Sequence, residues 1–223
     1  MFVITADQVD SRNQPDRAAS ALETLNGATG PNLLLPADRT AGHDIQILPA
    51  SAEDALAIVL ELTREDAWSV GVGIGPARLP LPQATREATG EAFFAARDAV
   101  TRAKKSQTRF ALTRAGDDTD ETLRGADAEA LIALLLVLRE RRTDGGWELY
   151  DLLTTGLTQS ESAEKLGITA GAASLRARAA GIRVEKAASE ALVRLLDTVN
   201  RSADPVAGAA ATLGPTESVT GRR

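Results

Sequence analysis

Residues 68–75 read WSVGVGIG, an alternation that puts Trp68, Val70, Val72 and Ile74 on one side and Ser69, Gly71, Gly73 and Gly75 on the other. Successive side chains of a strand point to opposite faces, so the stretch predicts a strand with one apolar face and one nearly bare face. Glycine inside a strand marks a place where another backbone or a ligand passes closely. A nucleotide-binding fingerprint is excluded, because no helix opens directly after the glycines.

Outward from this strand the chain alternates in period. Upstream, Ser51 caps a predicted helix through about Thr63, with Ala55, Ile58, Val59 and Leu62 as its buried stripe. Leu33–Leu35 and Ile45–Leu48 read as two strands, joined by a loop containing Thr40 to Asp44. Pro15 opens an amphipathic helix with Ala18, Ala21, Leu22 and Leu25 on one face, stopped by Asn26-Gly27. Phe2–Ala6 is a β-prone run that ends at Asp7. Downstream, Gly90–Ala103 is helical and Thr108–Thr113 is a last strand. The order β-α-β-β-α-β-α-β is that of a split βαβ, ferredoxin-like palm.

Arg114 to Gly125, with Gly116-Asp117-Asp118-Thr119-Asp120-Glu121, reads as a polar hinge. Beyond it Asp127–Arg142 is a long helix ended by Asp144-Gly145-Gly146, followed by helical segments at Trp147–Leu153, Gln159–Leu166, Ala170–Ala179 and Ala187–Asn200. The expected fold class is therefore α+β: a palm-like domain over 1–113, a hinge over 114–125, and an all-α domain over 126–200. Residues 201–223, with little to bury, are expected to be a disordered tail.

Composition narrows the functions. The 223 residues contain no cysteine, which removes disulfides, thiolate metal sites and cysteine nucleophiles and fits a reducing cytoplasm. The longest apolar block, Ala130–Leu138, is about half of what a bilayer needs, and no signal peptide is visible, so a soluble protein without a membrane partner is expected. A net charge of −6 excludes a strongly basic DNA-coating protein. Within 170–186, however, Arg176, Arg178, Arg183 and Lys186 stand against Glu185 alone, four minus one, a local +3. Phosphate contact depends on the contacting surface rather than on the chain average.

That basic stretch follows GLTQSESAEKLGITAGAASLRARAAG, residues 156–181. Thr158 and Glu161 have the spacing of a capping box, Ala163 is small where two helices must touch, and Leu166-Gly167-Ile168 supplies a turn. Thr169 caps a second helix from which Ser174, Arg176 and Arg178 are expected to point outward. From Leu157 to Ala180 the pattern resembles the helix-turn-helix of region four of bacterial sigma factors. Ser162 stands where that family places isoleucine or valine and Ala177 where it places leucine, underpacking by roughly 1–3 kcal/mol per site. The resemblance implies double-stranded DNA as partner, with Thr169, Ser174, Arg176, Arg178 and Arg183 as the contacting residues. Ala170, Gly171 and Ala172 make no bidentate base contact, so sequence readout is expected to rest on Ser174 and Arg176, with binding mostly to phosphate. A helical packing or dimerisation module without DNA is the alternative.

The blocks ITADQVDSR (4–12), RTAGHDIQ (39–46), VGVGIG (70–75) and GEAFFAAR (90–97) together resemble the SatD-like family, palm-type relatives of nucleotide cyclases. Many actinobacterial members of that family carry a C-terminal helix-turn-helix. Asp7 matches the family's aspartate at the end of the first strand, and Ser11 and Arg12 match the Ser-Arg that follows. The family's Gly-Asp-Glu-hydrophobic-Gln is here Gly42-His43-Asp44-Ile45-Gln46, with His43 at the aspartate position and Asp44 at the glutamate position. In catalytic palm enzymes such aspartates hold two Mg²⁺ ions against a triphosphate. Imidazole is a poor ligand for Mg²⁺, and Asp44 is expected to face away from the side that His43 takes.

Three readings stand for His43 and Asp7: a degenerate pocket for a nucleotide-like effector, with Arg12 and Asp44 as further ligand-binding candidates, a structural pairing in a palm used for dimerisation, or retained catalysis on Asp7 and Asp44. Arg39, Arg86 and Arg97 are further candidates for a phosphate site, or paired and solvated surface residues. The overall expectation is a cytoplasmic homodimeric regulator with no catalytic residues, metal or cofactor. The alternative is a nucleotide-binding protein or residual nucleotidyl-transfer enzyme with a helical scaffold.

Overall fold

The computed structural model describes residues 1–27, 30–40, 42–116 and 125–203. It is α+β. Strand β1 (Phe2–Gln8) leads to helix α1 (Ala18–Asn26), strands β2 (Leu33–Arg39) and β3 (Asp44–Pro49), helix α2 (Ala52–Leu62) and strand β4 (Trp68–Ile74). A single 3-10 turn (Thr85–Glu87) precedes helix α3 (Glu91–Ala103) and strand β5 (Phe110–Arg114). Then come α4 (Gly125–Glu140), α5 (Asp144–Thr154), α6 (Gln159–Lys165), α7 (Ala170–Ala179) and α8 (Ile182–Ser202).

The five strands form one sheet in the order β2-β3-β1-β4-β5. β1 is antiparallel to both β3 and β4, β2 is antiparallel to β3, and β5 is parallel to β4. β3 thus lies between the parallel β1 and β2, and β1 between the parallel β3 and β4. Two β-α-β units are interleaved.

The bare face of β4 explains where α3 lies. A side-chain carbon added at Gly71 would run into the backbone of Val100 and Ala96, and one at Gly73 into that of Ala92 and Ala96. Helix α3 therefore packs on β4 almost backbone to backbone, with Ala92, Ala96, Ala99 and Ala103 fully buried along its inner side. The opposite face of the sheet, carrying Phe2, Ile4, Val70 and Val72, shares one continuous core with α1, α2, α4 and α8. Ile132 and Leu135 of α4 and Leu196 and Val199 of α8 belong to it, so this core spans both sides of residues 114–125. The end of α8 reaches the first residue: the Met1 amino group donates to the Asn200 side chain at 2.6 Å.

Among the element boundaries that differ from expectation, two show their cause directly. Asp144-Gly145-Gly146 begins α5 rather than merely ending the helix before it, because Thr143 is an N-cap whose hydroxyl accepts from the Gly146 amide at 3.3 Å. The glycines there answer to packing, since a side chain at Gly145 would meet the Arg176 guanidinium and one at Gly146 the Ala180 methyl. Helix α8 starts at Ile182, earlier than Ala187, because Gly181 at φ 66 turns the corner from α7 in the left-handed conformation. Of the expected hinge, residues 117–124 lie outside the described residues, as do 204–223 of the expected tail. Among the described residues no helix is long and apolar enough to cross a membrane.

Candidate functional site

Helices α6 and α7 are each set by a threonine cap. Thr158 and Glu161 form a reciprocal capping box: the Thr158 hydroxyl accepts from the Glu161 amide at 3.3 Å, and the Glu161 carboxylate accepts from the Thr158 amide at 2.7 Å. The Thr158 hydroxyl, which also donates to the Glu161 carboxylate at 2.6 Å, and then the Thr158 amide hold that carboxyl below its ordinary value. Gly167 at φ 64 and a bond from the Ile168 amide to the Ala163 carbonyl at 3.0 Å close the turn. Thr169 then caps α7, its hydroxyl accepting from the Ala172 amide at 3.1 Å.

Ser162 is fully buried where a larger apolar residue was expected, and its hydroxyl donates to the Thr158 carbonyl at 2.9 Å. The small residue thus supplies its own partner inside the helix pair. Ala173, Ala177 and Ala180 form the buried side of α7. Gly171, Ala172, Ser174, Leu175 and Arg178 are exposed on its other side.

The five residues expected to contact DNA separate into three groups. Ser174, Arg178 and Arg183 come together along one depression of about 370 Å³, lined also by Gln159, Leu175 and Val184. Thr169 lies at the start of the same helix as its cap. Arg176, expected to point outward, instead turns back onto α5: it is half-buried, rests against Gly145 and faces the Glu148 carboxylate at 3.5 Å. No acid lies within one turn of Arg176 in sequence, but one lies across the helix pair.

Beneath α7 is a cluster that sequence reading passed over. Glu185 is buried and ion-paired with both Arg139 and Arg142. Arg142 also donates to the Ala180 carbonyl at the end of α7, from Nε at 3.1 Å and Nη2 at 3.0 Å. Its guanidinium lies 4.3 Å from the Trp147 ring centre and 4.6 Å from that of Tyr150, at cation–π distance. Arg139 donates to the Leu60 carbonyl of α2 at 3.0 Å, and Arg64 forks onto Asp151 at 2.9 and 2.8 Å. The cluster ties α7 through α4 and α5 to the sheet domain. The signal in the sequence was the spacing of Arg139 and Arg142 on the same side of α4 as Ile132 and Leu135, hidden in the solvated-looking run Arg139-Glu140-Arg141-Arg142.

One electrostatic consequence bears on ligand choice. Between 170 and 186 the single acid, Glu185, is removed from the surface, and Arg176 is engaged with Glu148. What α7 and the first turn of α8 present to solvent is Arg178, Arg183 and Lys186.

The second set of residues lies at one end of the sheet. Asp7 and Asp44 are directly opposite in the β1–β3 register and share the face that α3 covers in part. Asp44 was expected on the other face from the side His43 takes. His43, however, is in the turn before β3, and alternation begins only where the ladder begins, at Asp44. The Lys104 ammonium, just past the end of α3, is ion-paired with Asp7. The Asp44 carboxyl is raised to about 6, first by burial and then by its hydrogen bond with Asp7 and that neighbour's charge, with Lys104 acting the other way.

His43 stands apart, its Nδ1 4.0 Å from Asp16, which Arg39 holds at 2.7 Å. That Arg39 bond, with one from the Ala18 amide, lowers the Asp16 pKa. Arg86 is paired with Asp38 at 3.0 Å, while Arg12 and Arg97 are exposed. The structure brings Asp7 and Asp44 together and leaves Arg12 and His43 outside that pair.

A divalent cation held by two carboxylates needs both of them anionic and open. Here the Lys104 ammonium is already ion-paired with Asp7, and among the described residues no three His, Cys, Asp or Glu side chains are grouped to hold a metal. The donor set as arranged does not fit a magnesium centre. No family model, curated protein or solved structure matches this chain.

Proposed function

We propose that the protein is a cytoplasmic, homodimeric DNA-binding regulator, in which α7 approaches duplex DNA and a palm-like, ferredoxin-like domain carries the helix pair. The observation that carries the reading is the all-positive exposed surface of 170–186, produced by burying Glu185 under two arginines. A capped helix, a tight turn and a second capped helix with a bare outer side support it, because the helix that enters a groove must present an uncluttered face. Contact is chiefly with phosphate through Arg178 and Arg183, with the hydrogen-bonding side chains of Ser174 and Gln159 beside them for a base edge. The strand order β2-β3-β1-β4 with its two interleaved units supports the palm reading.

Titration of labelled duplex DNA at two salt concentrations tests this: affinity should fall as salt rises, because phosphate binding releases counterions. Undetectable binding at low salt would remove the reading.

The second reading, a nucleotide-binding or nucleotidyl-transfer protein, is favoured by one observation, the shared face of Asp7 and Asp44. Lys104 on Asp7 weighs against it. Incubation with Mg²⁺ and ATP or GTP is expected to give no cyclic or linear nucleotide product. Turnover abolished by Asp7→Ala would promote the enzyme.

A further inference from the structure

Helix α4 buries one side in the core and leaves a second apolar stripe in solvent. Leu134 is 67% exposed and Leu131 49%, with Val137 and Leu138 half-exposed beside them. Across a groove of about 630 Å³, α8 continues the apolar surface with Val184, itself 63% exposed, and with Ala188, Ala191 and Leu195. Arg141 is the single charged residue of that lining. A continuous apolar patch of this kind, unlike a single exposed leucine, marks an interaction site.

The order of residues on the stripe identifies the occupant. Positions 127, 131, 134, 138 and 141 are spaced by four, three, four and three, which keeps them on one side of a helix. About Leu134 the two charged positions are equidistant, Asp127 before it and Arg141, just past the end of α4, after it, while an antiparallel copy sets Leu131 opposite Val137 and Leu138 opposite Ala130. An isologous dimer requires that residue i meet residue j while j meets i. An α4 laid antiparallel on a second α4, with the two-fold axis at Leu134, sets leucine on leucine at the centre. It sets the exposed Asp127 carboxylate of each copy opposite the exposed Arg141 guanidinium of the other, about 10 Å from the axis at a 1.5 Å rise per residue. A parallel pairing in the same register would put like charge on like.

We infer that the α4 stripe, flanked by α8, is the homodimer interface, with a second copy of the same chain as its occupant. This rests on the dimeric part of the proposed function and moves dimerisation from the palm-like domain to the helical layer behind it. The interface adjoins the depression beside α7 at Val184, which borders both, while Ser174 and Arg178 lie outside the groove.

The absence of cysteine from the chain makes a direct test available. Leu134→Cys in the full-length protein, oxidised mildly at micromolar concentration, should give a disulfide-linked dimer in high yield. Leu79→Cys, at an equally exposed position 71% open to solvent, should not. Light scattering should return twice 23.4 kDa for the parent and the monomer mass for Leu134→Glu, whose circular dichroism should match the parent. Asp127→Lys and Arg141→Glu should each weaken the dimer at least several-fold, and the double exchange should restore it. A monomeric parent overturns both this interface and the dimeric reading. A parent dimer left intact by Leu134→Glu overturns this interface alone, and so does a Leu134→Cys variant that cross-links no better than the control.

Discussion

Glu185 and Asp44 are two carboxyls whose surroundings decide their roles in opposite ways. Glu185 lies under Arg139 and Arg142, so neutralising it strands two buried guanidinium groups. Glu185→Gln should cost about 3–5 kcal/mol in chemical denaturation, since breaking a buried pair by removing one partner leaves uncompensated charge. A loss below about 1 kcal/mol would mean that the cluster is open to water. Asp44 behaves differently, because its carboxyl is raised from 3.8 to about 6 in the folded chain. The folded state then holds this proton more tightly than the unfolded chain does, so the contribution to stability falls as pH rises from about 4 to about 6 and is lost above that. Asp44→Asn should accordingly be more stable than the parent at pH 7.5, with the advantage shrinking by pH 4.5; urea midpoints at the two pH values check the sign. An equal difference at both would place Asp44 in ordinary solvent. Neither environment was legible in the sequence, since Glu185 is surrounded there by charged residues and Asp44 was assigned to the opposite face. The partners of both come from elements far away in the chain.

At the scale of elements the sequence carried much more. The order of strands and helices, the caps at Ser51, Thr158 and Thr169 and the apolar stripe of α2 all follow from local spacing, and the structure has each of them. The bare strand at 68–75 also announced a close approach, although the identity of the covering element, α3, depends on the crossover that brings it back over β4. Gly73→Ala should be among the most damaging single-methyl changes in the chain. The added carbon meets helix backbone rather than a side chain that could rotate away, which puts the cost at the upper end of the roughly 1–3 kcal/mol typical of overpacking. Gly171→Ala, at an exposed helical position whose nearest neighbour is the Thr169 hydroxyl at 3.9 Å, should be neutral or slightly stabilising instead. Thermal melts of the two variants side by side test the assignment, and similar melting temperatures would contradict it. What spacing hid was the start of α5, where a threonine cap overrides two glycines usually read as a helix end.

Across the whole molecule, the sheet domain and the helical domain share one core through α4 and α8, and the Arg142 cluster fixes the end of α7 to that core. The residues proposed to contact DNA are therefore presented from a braced surface rather than from a free helix pair. That surface separates residues which looked equivalent in sequence: Arg178 and Arg183 are exposed at the depression beside α7, while Arg176 is folded against Glu148 and Gly145. The most direct test is the salt dependence of duplex binding by Arg178→Ala, Arg183→Ala and Arg176→Ala against the parent, measured by fluorescence anisotropy. Arg178→Ala and Arg183→Ala should each weaken binding on all sequences alike and reduce the slope of log affinity against log salt by about one unit. Arg176→Ala should leave that slope unchanged, because its guanidinium is engaged within the protein. Parent-like binding by both Arg178→Ala and Arg183→Ala would contradict DNA recognition through α7.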